Sequence, residues 1–288
     1  MPTAPARAAL RAQLSSGELI IAPGVFDGIS AHLAARLGFS AAYLTGAGTA
    51  ASGFGLPDIG LVTLTEMAER ARMVTRVLGG IPLIADADTG YGATLNVVRT
   101  VQEYEAAGVA AIQLEDQAFP KRCGHLPDKE LISAGEFTVK LRAALDARAD
   151  PDLVVIARTD ARAPLGIGAA IDRANAYAEA GADVIFVEAP QSTGEIERIA
   201  KEVRAPLLIN MVGGGLTPAE PPQRLAELGY AIAIYPALAL AGAAQGMLTA
   251  LADLAGTGTR GLATSSPAGI FRIVGLTEWA QADARHQR

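Results

Sequence analysis

Short aliphatic runs alternate with amphipathic stretches along most of this chain. Eight such runs occupy residues 19–22, 41–44, 82–85, 110–114, 153–157, 183–187, 206–209 and 231–234. A break rich in Gly, Asp or Pro follows each run, and helical periodicity predicts helices ending near residue 35 and over 64–77, 95–107, 167–180, 195–203, 219–228 and 238–254. Continuous aliphatic runs predict strands that are buried on both faces, as in parallel sheets.

Eight strand-and-helix units within about 250 residues predict an α/β fold, a (β/α)8 TIM barrel. We assign residues 1–255 to this barrel. A doubly wound sheet is the alternative, but no G-x-G-x-x-G fingerprint opens a helix near the start of the chain. Residues 256–288 break the alternation and predict a linker followed by a helix over 269–284, which would pack on its own barrel or on a partner subunit.

Composition and charge narrow the class of protein. Half of the 288 residues are hydrophobic, the net charge is −6, and there is no basic run, so we expect no nucleic-acid binding. One cysteine cannot form an internal disulfide, which suits a reducing cytoplasm. Residues 1–14 lack the apolar stretch of a signal peptide. The apolar stretch 231–252 is interrupted by Tyr235-Pro236 and Gly242, so we interpret it as a strand and a helix rather than a membrane span.

Polar and ionisable residues stand at the ends of nearly all the predicted strands. They are Tyr43, Thr45, Gly46, Asp86, Asp88, Glu115, Arg158, Glu188 and Asn210. Any one of these carboxylates could serve equally well as a helix cap. A whole ring of them is difficult to explain by packing, since charged groups are seldom buried without partners. The carboxyl ends of barrel strands form the active site in enzymes of this fold.

Four carboxylates, those of Asp58, Asp86, Asp88 and Glu115, predict a site for a hard cation. We expect Mg²⁺, with Mn²⁺ as an alternative, held directly by Asp86 and through water by the others. Arg158 would bind a substrate carboxylate, and the backbone of Thr45-Gly46-Ala47 would bind an anion. Together these features predict a small carboxylate substrate with an oxygen on its α-carbon.

The only cysteine lies in the segment Lys121-Arg122-Cys123-Gly124-His125. A lone cysteine is usually a small buried hydrophobe. Cationic and polar neighbours instead lower the pKa of a thiol and make it usable as an acid, base or nucleophile.

Four motifs give the chain a resemblance to the isocitrate lyase and phosphoenolpyruvate mutase superfamily over residues 18–254. They are Gly24-Val25-Phe26-Asp27, Asp86-Ala87-Asp88-Thr89-Gly90-Tyr91-Gly92, Gln113-Leu114-Glu115-Asp116 and Lys121-Arg122-Cys123-Gly124-His125. The resemblance implies a Mg²⁺-dependent barrel, commonly a homotetramer that swaps a C-terminal helix. The cysteine motif implies the carbon–carbon lyase branch, with Cys123 as the acid or base on the departing carbanion and Lys121 and His125 beside it on a gating loop.

Within that resemblance, the remaining residues favour a 2-alkylmalate. Gly124, Glu188 and Asn210 would contact the substrate, and Tyr43 or a metal-bound water would take the hydroxyl proton. Methylisocitrate lyases usually carry a Glu where this chain has Gly213, and an Arg in the stretch that here includes Ala241. Fewer cationic and polar contacts should favour a dicarboxylate such as 2,3-dimethylmalate over a tricarboxylate. Methylisocitrate cleavage, carboxyphosphonoenolpyruvate mutase, oxaloacetate hydrolase and a catalytically silent metabolite-binding barrel stay as alternatives.

Overall fold

Eight parallel strands close into a barrel in the computed structural model, which describes residues 4–124, 128–256 and 266–286. In chain order the strands are β1 Ile20–Val25, β2 Ala42–Leu44, β3 Leu83–Asp86, β4 Ala111–Glu115, β5 Val154–Thr159, β6 Val184–Val187, β7 Leu207–Asn210 and β8 Ile232–Tyr235. Each strand pairs with its neighbour in sequence, and β8 closes onto β1. The predicted (β/α)8 fold is confirmed.

Helices surround the barrel. They are α1 Ala4–Ser16, α2 Gly28–Arg36, α3 Gly46–Thr49, α4 Leu64–Leu78, α5 Thr94–Ala107, α6 Ala134–Ala147, α7 Arg162–Glu179, α8 Thr193–Glu202, α9 Pro222–Glu227, α10 Leu238–Ala255, α11 Pro267–Ile273 and α12 Leu276–His286. A π-helix, Ala50–Phe54, continues α3. Side chains of alternate strand residues fill the barrel interior, while the opposite faces pack against the helices.

The N-terminal helix α1, which the periodicity did not reveal, packs beneath the barrel. Leu10 is fully buried with the interior strand residues. Arg7 donates to the carbonyls of Glu105 and Val109 and pairs with Asp150, while Arg11 pairs with Asp183. These contacts fix α1 at the N-terminal end of the barrel, opposite the ends of the strands that carry the predicted site.

Two other helical regions differ from the sequence-based expectation. Helix α6 follows the cysteine segment and was not located from the sequence, although Ser133 gives it a complete capping box with Glu136. The single helix predicted over 269–284 is instead α11 and α12. They separate at Gly275, whose φ of +88° lies in the left-handed region that ends a helix.

The helix α10 runs along the outside of the barrel with no buried residue. Among the described residues, it is the one helix long and apolar enough to cross a membrane, by length and composition alone. Leu248, Leu251 and, in α12, Trp279 are more than half exposed. This large apolar surface has no partner within the described chain, and monomeric proteins rarely expose such a patch.

Candidate active site

The predicted site residues converge at the carboxyl end of the barrel. A cavity of about 110 Å³ is lined by Tyr43, Thr45, Ala47, Asp58, Asp86, Cys123, Gly124, Arg158, Glu188 and Asn210. Four of the predicted residues, Gly46, Asp88, Glu115 and Lys121, do not line this cavity but contact the groups that do. His125 lies outside the described residues.

Asp86, the last residue of β3, is the central carboxylate. Its Oδ1 accepts the backbone N–H of Asp88 at 3.1 Å and the Gln113 amide at 3.3 Å. Its Oδ2 accepts the backbone N–H of Gly46 at 3.3 Å. Burial, followed by the nearby charge of Asp88, raises the pKa of Asp86 to about 6. Negative charge is therefore crowded at this point, which favours the approach of a cation.

Lys121 supplies a positive charge between two of the carboxylates. Its Nζ forms an ion pair with Asp58 and lies 2.8 Å from Oδ1 of Asp88. Burial alone would lower the pKa of Lys121, but the surrounding carboxylates outweigh it and raise the pKa well above the ordinary value. Lys121 is thus a permanent cation, which ties the start of the cysteine segment to the carboxylate cluster.

The carboxylate cluster fits a hard cation with few direct protein ligands. No group of three or more His, Cys, Asp or Glu residues in the described ranges 4–124, 128–256 and 266–286 is arranged to hold a metal directly. Glu115 Oε1 is buried without a hydrogen-bond partner, and burial raises the pKa of Glu115 well above its ordinary value. Mg²⁺ typically keeps several waters and takes one or two carboxylates. The residues therefore suit Mg²⁺ held by Asp86, with Asp58, Asp88 and Glu115 reached through water.

Tyr43 points into the barrel interior beside this cluster. Its hydroxyl donates to Gln113 Oε1 at 2.8 Å, and Gln113 in turn donates to Asp86. Burial and the charge of Asp86 raise the pKa of Tyr43 well above 10. The phenol is therefore neutral at ordinary pH in the protein without bound ligands. Gln113, which orients both groups, was missed from the sequence because it lies inside strand β4.

The segment Thr45-Gly46-Ala47 forms the start of α3 rather than an open loop. The Thr45 hydroxyl caps the helix by accepting the N–H of Gly48 at 3.1 Å. Gly46 lies so close to Asp86 that an added Cβ would be 2.7 Å from Oδ2. One of the anion-binding N–H groups expected here, that of Gly46, thus holds the Asp86 carboxylate, while Ala47 faces the cavity.

Arg158 on β5 is the cationic group of the opposite wall. Its Nη1 lies 3.4 Å from Glu115, its Nη2 lies 3.8 Å from Glu188, and its Cζ lies 5.2 Å from the centroid of the Phe186 ring. Burial would lower its pKa, but Asp160, Glu115 and Glu188 raise it, so the charge persists. Asp160, two residues further along the chain, was not among the predicted site residues.

Residues 121–124 of the cysteine segment lie beside the cavity, which Cys123 and Gly124 line. Gln117 holds the segment by accepting the backbone N–H of Arg122 at 2.9 Å and donating to the Arg122 carbonyl at 2.8 Å. Cys123 is half-buried and lines the cavity. Gly124 lies directly against Arg158 and Glu188 with no room for a Cβ. Beyond them, Asn210 donates to both oxygens of Glu188 at 3.2 and 3.4 Å.

An apolar wall completes the cavity. It consists of Phe186, Val212, Ile234, Pro236 and Leu240, none of which was predicted as a site residue. A second cavity of about 310 Å³ shares Val212 and Ala237 with the first and extends past Gly213 and Ala241. An added Cβ at Gly213 would meet nothing within 4 Å. Apolar residues at a strand end carry no distinctive sequence signal, which is why this wall could not be predicted.

Comparison with known proteins gives a consistent family assignment. The family model described as phosphoenolpyruvate phosphomutase matches residues 10–255. Over 84% of this chain and 83% of the relative, the sequence is 48% identical to 2,3-dimethylmalate lyase of Eubacterium barkeri. It is 45% identical to 2-methylisocitrate lyase of Aeropyrum pernix over 87% of this chain and 80% of that protein.

Two solved structures share the whole architecture. A crystal structure of 2,3-dimethylmalate lyase, described as a PEP mutase/isocitrate lyase superfamily member, has a TM-score of 0.93 at 41% identity and covers 98% of this chain and 95% of that chain. Oxaloacetate acetylhydrolase in complex with 3,3-difluorooxalacetate has a TM-score of 0.93 at 37% identity, covering 99% of this chain and 98% of that chain. The chain therefore belongs to the phosphoenolpyruvate phosphomutase family and is a lyase of the PEP mutase/isocitrate lyase superfamily.

Proposed function

We propose that the protein cleaves the C2–C3 bond of a 2-alkylmalate such as 2,3-dimethylmalate, giving pyruvate and a simple carboxylate. One observation carries the proposal. The Cys123 thiol lines the same small cavity as the Asp86 carboxylate and the Arg158 guanidinium, and one wall of that cavity is apolar. A proton donor, a cation site, an anion site and an alkyl pocket are the four features that this reaction requires.

The chemistry follows from these positions. Arg158 binds a carboxylate of the substrate, and the apolar wall of Phe186, Val212 and Leu240 contacts its alkyl groups. Loss of the hydroxyl proton lets C2 become the ketone of pyruvate while the electron pair of the C2–C3 bond passes to C3. The C3 fragment then takes a proton from the Cys123 Sγ and leaves as a carboxylate, and the thiolate regains its proton from solvent.

Mg²⁺ suits the carboxylates around Asp86 and would stabilise the negative charge on the oxygen atoms of the substrate. The chain's own contribution is to fix that cluster. Gln113 orients both Asp86 and Tyr43, and Lys121 holds Asp58 and Asp88. The hydroxyl proton passes to an ordered water or to Tyr43, which would accept it only as a phenolate, a form that a bound cation would favour.

A dicarboxylate fits better than a tricarboxylate. Among the described residues that line the cavity, Arg158 is the single cationic side chain. Gly213 and Ala241 give the neighbouring cavity no cationic group, and the charged residue in its described lining is Glu220, so a third carboxylate would lie there without a positive partner. This charge balance supports an alkylmalate over 2-methylisocitrate.

Oxaloacetate cleavage is the second candidate, favoured by the structural similarity to oxaloacetate acetylhydrolase. Both reactions use a cation site and an anion clamp, but oxaloacetate has no alkyl group to fill the apolar wall. A phosphonomutase reaction is the third, since the family model carries that name.

A substrate panel distinguishes these functions. Purified protein with Mg²⁺ is assayed with 2,3-dimethylmalate, 2-methylmalate, 2-methylisocitrate and oxaloacetate, and by phosphorus NMR with a phosphonate precursor. We expect the highest kcat/KM for an alkylmalate, with pyruvate as a product. Oxalate formation from oxaloacetate alone, or a phosphorus shift without malate cleavage, would assign one of the other functions. Neither turnover nor Mg²⁺-dependent ligand binding by calorimetry would indicate a silent binding barrel.

We further propose that the protein is a homo-oligomer, a tetramer in the simplest case, located in the cytoplasm. The exposed apolar residues of α10, α11 and α12 support a second copy of this chain as their partner. No residue of this 18-residue helix is buried, and its exposed side chains, such as Leu248 and Leu251, are available for such an interface.

A further inference from the structure

Lys129 is a buried cation that the proposed reaction does not use. It lies five residues beyond Gly124, and its side chain is 1% exposed. Its Nζ donates to the Gly124 carbonyl and lies 3.0 Å from Oδ1 of Asp160. Removing an ammonium group from water is costly unless a carboxylate and hydrogen bonds compensate it. Lys129 therefore links the Gly124 carbonyl to the Asp160 carboxylate.

Asp160 joins this lysine to the arginine of the active site. The Asp160 side chain is fully buried, and it accepts Arg158 Nε at 2.9 Å and Arg158 Nη2 at 3.1 Å. Its backbone N–H donates to Asp116, which holds it from below. Burial would raise the pKa of Asp160, but the charges of Arg158 and Lys129 outweigh this and lower it. One carboxylate thus pairs with both cations.

These contacts connect Asp160, through Lys129, to Gly124, the residue next to Cys123. Gly124 receives Lys129 at its carbonyl and packs directly against Arg158 and Glu188 on its other side. Since Cys123 is bonded to Gly124, the position of the thiol depends on where this glycine rests. The distance between the proton donor and the substrate-binding arginine is thereby determined by two ion pairs on a shared carboxylate.

We propose that Lys129 and Asp160 are positioning residues that hold the Cys123 thiol in register with Arg158. The kinetic consequence rests on the proposed lyase function, whereas the position of the thiol does not. Loss of Lys129 leaves Asp160 paired with Arg158, so it releases the cysteine segment but keeps the anion site. Loss of the Asp160 charge weakens both the attachment of the cysteine segment and the anion site. The two residues therefore have different kinetic signatures.

The test compares Lys129→Met and Asp160→Asn with wild type and with Lys201→Met, a matched control at an exposed lysine of α8. The first readout is the rate of alkylation by iodoacetamide, measured by intact mass, which reports on Cys123 because the chain has no other cysteine. The second is kcat and KM on the best acid of the panel. Lys129→Gln, which keeps a donor without the charge, replaces Lys129→Met if that variant does not fold.

We expect Lys129→Met to speed alkylation about tenfold and to lower kcat by roughly 10- to 100-fold, because a displacement of about 1 Å at a reacting group has effects of this size. Its KM stays within about threefold of wild type, whereas Asp160→Asn also raises KM, since Arg158 loses the carboxylate that accepts two of its hydrogen bonds. Alkylation and kcat equal to those of Lys201→Met would overturn the proposal. If wild type cleaves none of the acids, the proposed function fails and the alkylation rates alone decide whether the thiol is positioned in this way.

Discussion

At the scale of single residues, the chemistry of the site depends on which charges are compensated and which are not. Lys121 and Arg158 keep their charges because carboxylates surround them, and Tyr43 keeps its proton because it is buried. Asp86 is left with a raised pKa and Glu115 with an unpaired oxygen. A cation would satisfy both, so these two carboxylates are the strongest physical support for a metal.

Under the proposed function, we expect the residues beyond Val212 to determine which acid fits. We predict that the double variant Gly213→Glu and Ala241→Arg shifts the ratio of kcat/KM for 2-methylisocitrate over 2,3-dimethylmalate upward by at least about tenfold. A new cation pairs with the third carboxylate, and such a contact is worth on the order of 1.4 kcal/mol or more. Steady-state kinetics on both acids measures the ratio. Ala106→Arg, in an exposed position of α5, is the control, and an equal ratio in both variants would contradict the assignment.

At the scale of elements, α1 packs at the end of the barrel opposite the candidate active site. We predict that Leu10→Ala lowers the free energy of unfolding by about 2–5 kcal/mol, because it leaves a cavity among fully buried strand residues. Urea denaturation measures this change. Leu95→Ala removes the same atoms from an 82% exposed position on α5 and should cost less than about 0.5 kcal/mol. Equal losses for the two variants would mean that α1 does not pack as described.

The strands were predictable because each is buried on both faces and therefore reads as an aliphatic run, as in β5. Polar site residues directly after such runs, such as Glu188, were predictable because the end of each run locates the end of a strand. Helix α1 was not, since few of its residues, chiefly Leu10 and the partly buried Leu14, contact the core. Its position depends on Arg7 and Arg11, which donate to distant carbonyls. Lys129 was missed because its partner Asp160 is 31 residues away in sequence.

At the scale of the whole molecule, the exposed apolar side chains of α10 indicate an interface with a partner. We predict that light scattering after size exclusion gives a homo-oligomer for wild type and a smaller species for Leu248→Glu/Leu251→Glu. Charges in an apolar interface leave unpaired groups on association. Lys201→Met should keep the wild-type mass. A monomeric wild type would contradict the proposal, and flotation with liposomes would instead indicate a membrane surface as the partner.

The pKa of Asp86 links metal binding to pH. In the metal-free protein this group binds a proton between its ordinary pKa of 3.8 and about 6, so its contribution to stability rises as the pH falls through 6. Mg²⁺ binds the ionised carboxylate, so in the presence of Mg²⁺ the contribution of Asp86 to stability rises with pH instead. At pH 8, a Mg²⁺ concentration of about 100 times Kd should add about 2.7 kcal/mol to the free energy of unfolding, which raises Tm by roughly 5–10 °C.

At pH 5 the same concentration of Mg²⁺ should raise Tm by a smaller amount than at pH 8, because Mg²⁺ binding weakens about tenfold for each pH unit below the raised pKa of Asp86. Differential scanning calorimetry with and without Mg²⁺ measures both shifts. The Asp86→Asn variant serves as the control and should lose the Mg²⁺-dependent increase at pH 8. An increase of equal size at pH 5 and pH 8 in wild type would contradict the role of Asp86 as the ligand.

The central claim is that Cys123 protonates the fragment released from an alkylmalate. Its most direct test is the rate of pyruvate formation from 2,3-dimethylmalate with Mg²⁺, in wild type and in Cys123→Ser. General acid catalysis contributes about 10²–10⁴ in rate, so we predict that kcat falls by at least about a hundredfold while KM changes little. A Cys123→Ser variant that forms pyruvate as fast as wild type would contradict the claim.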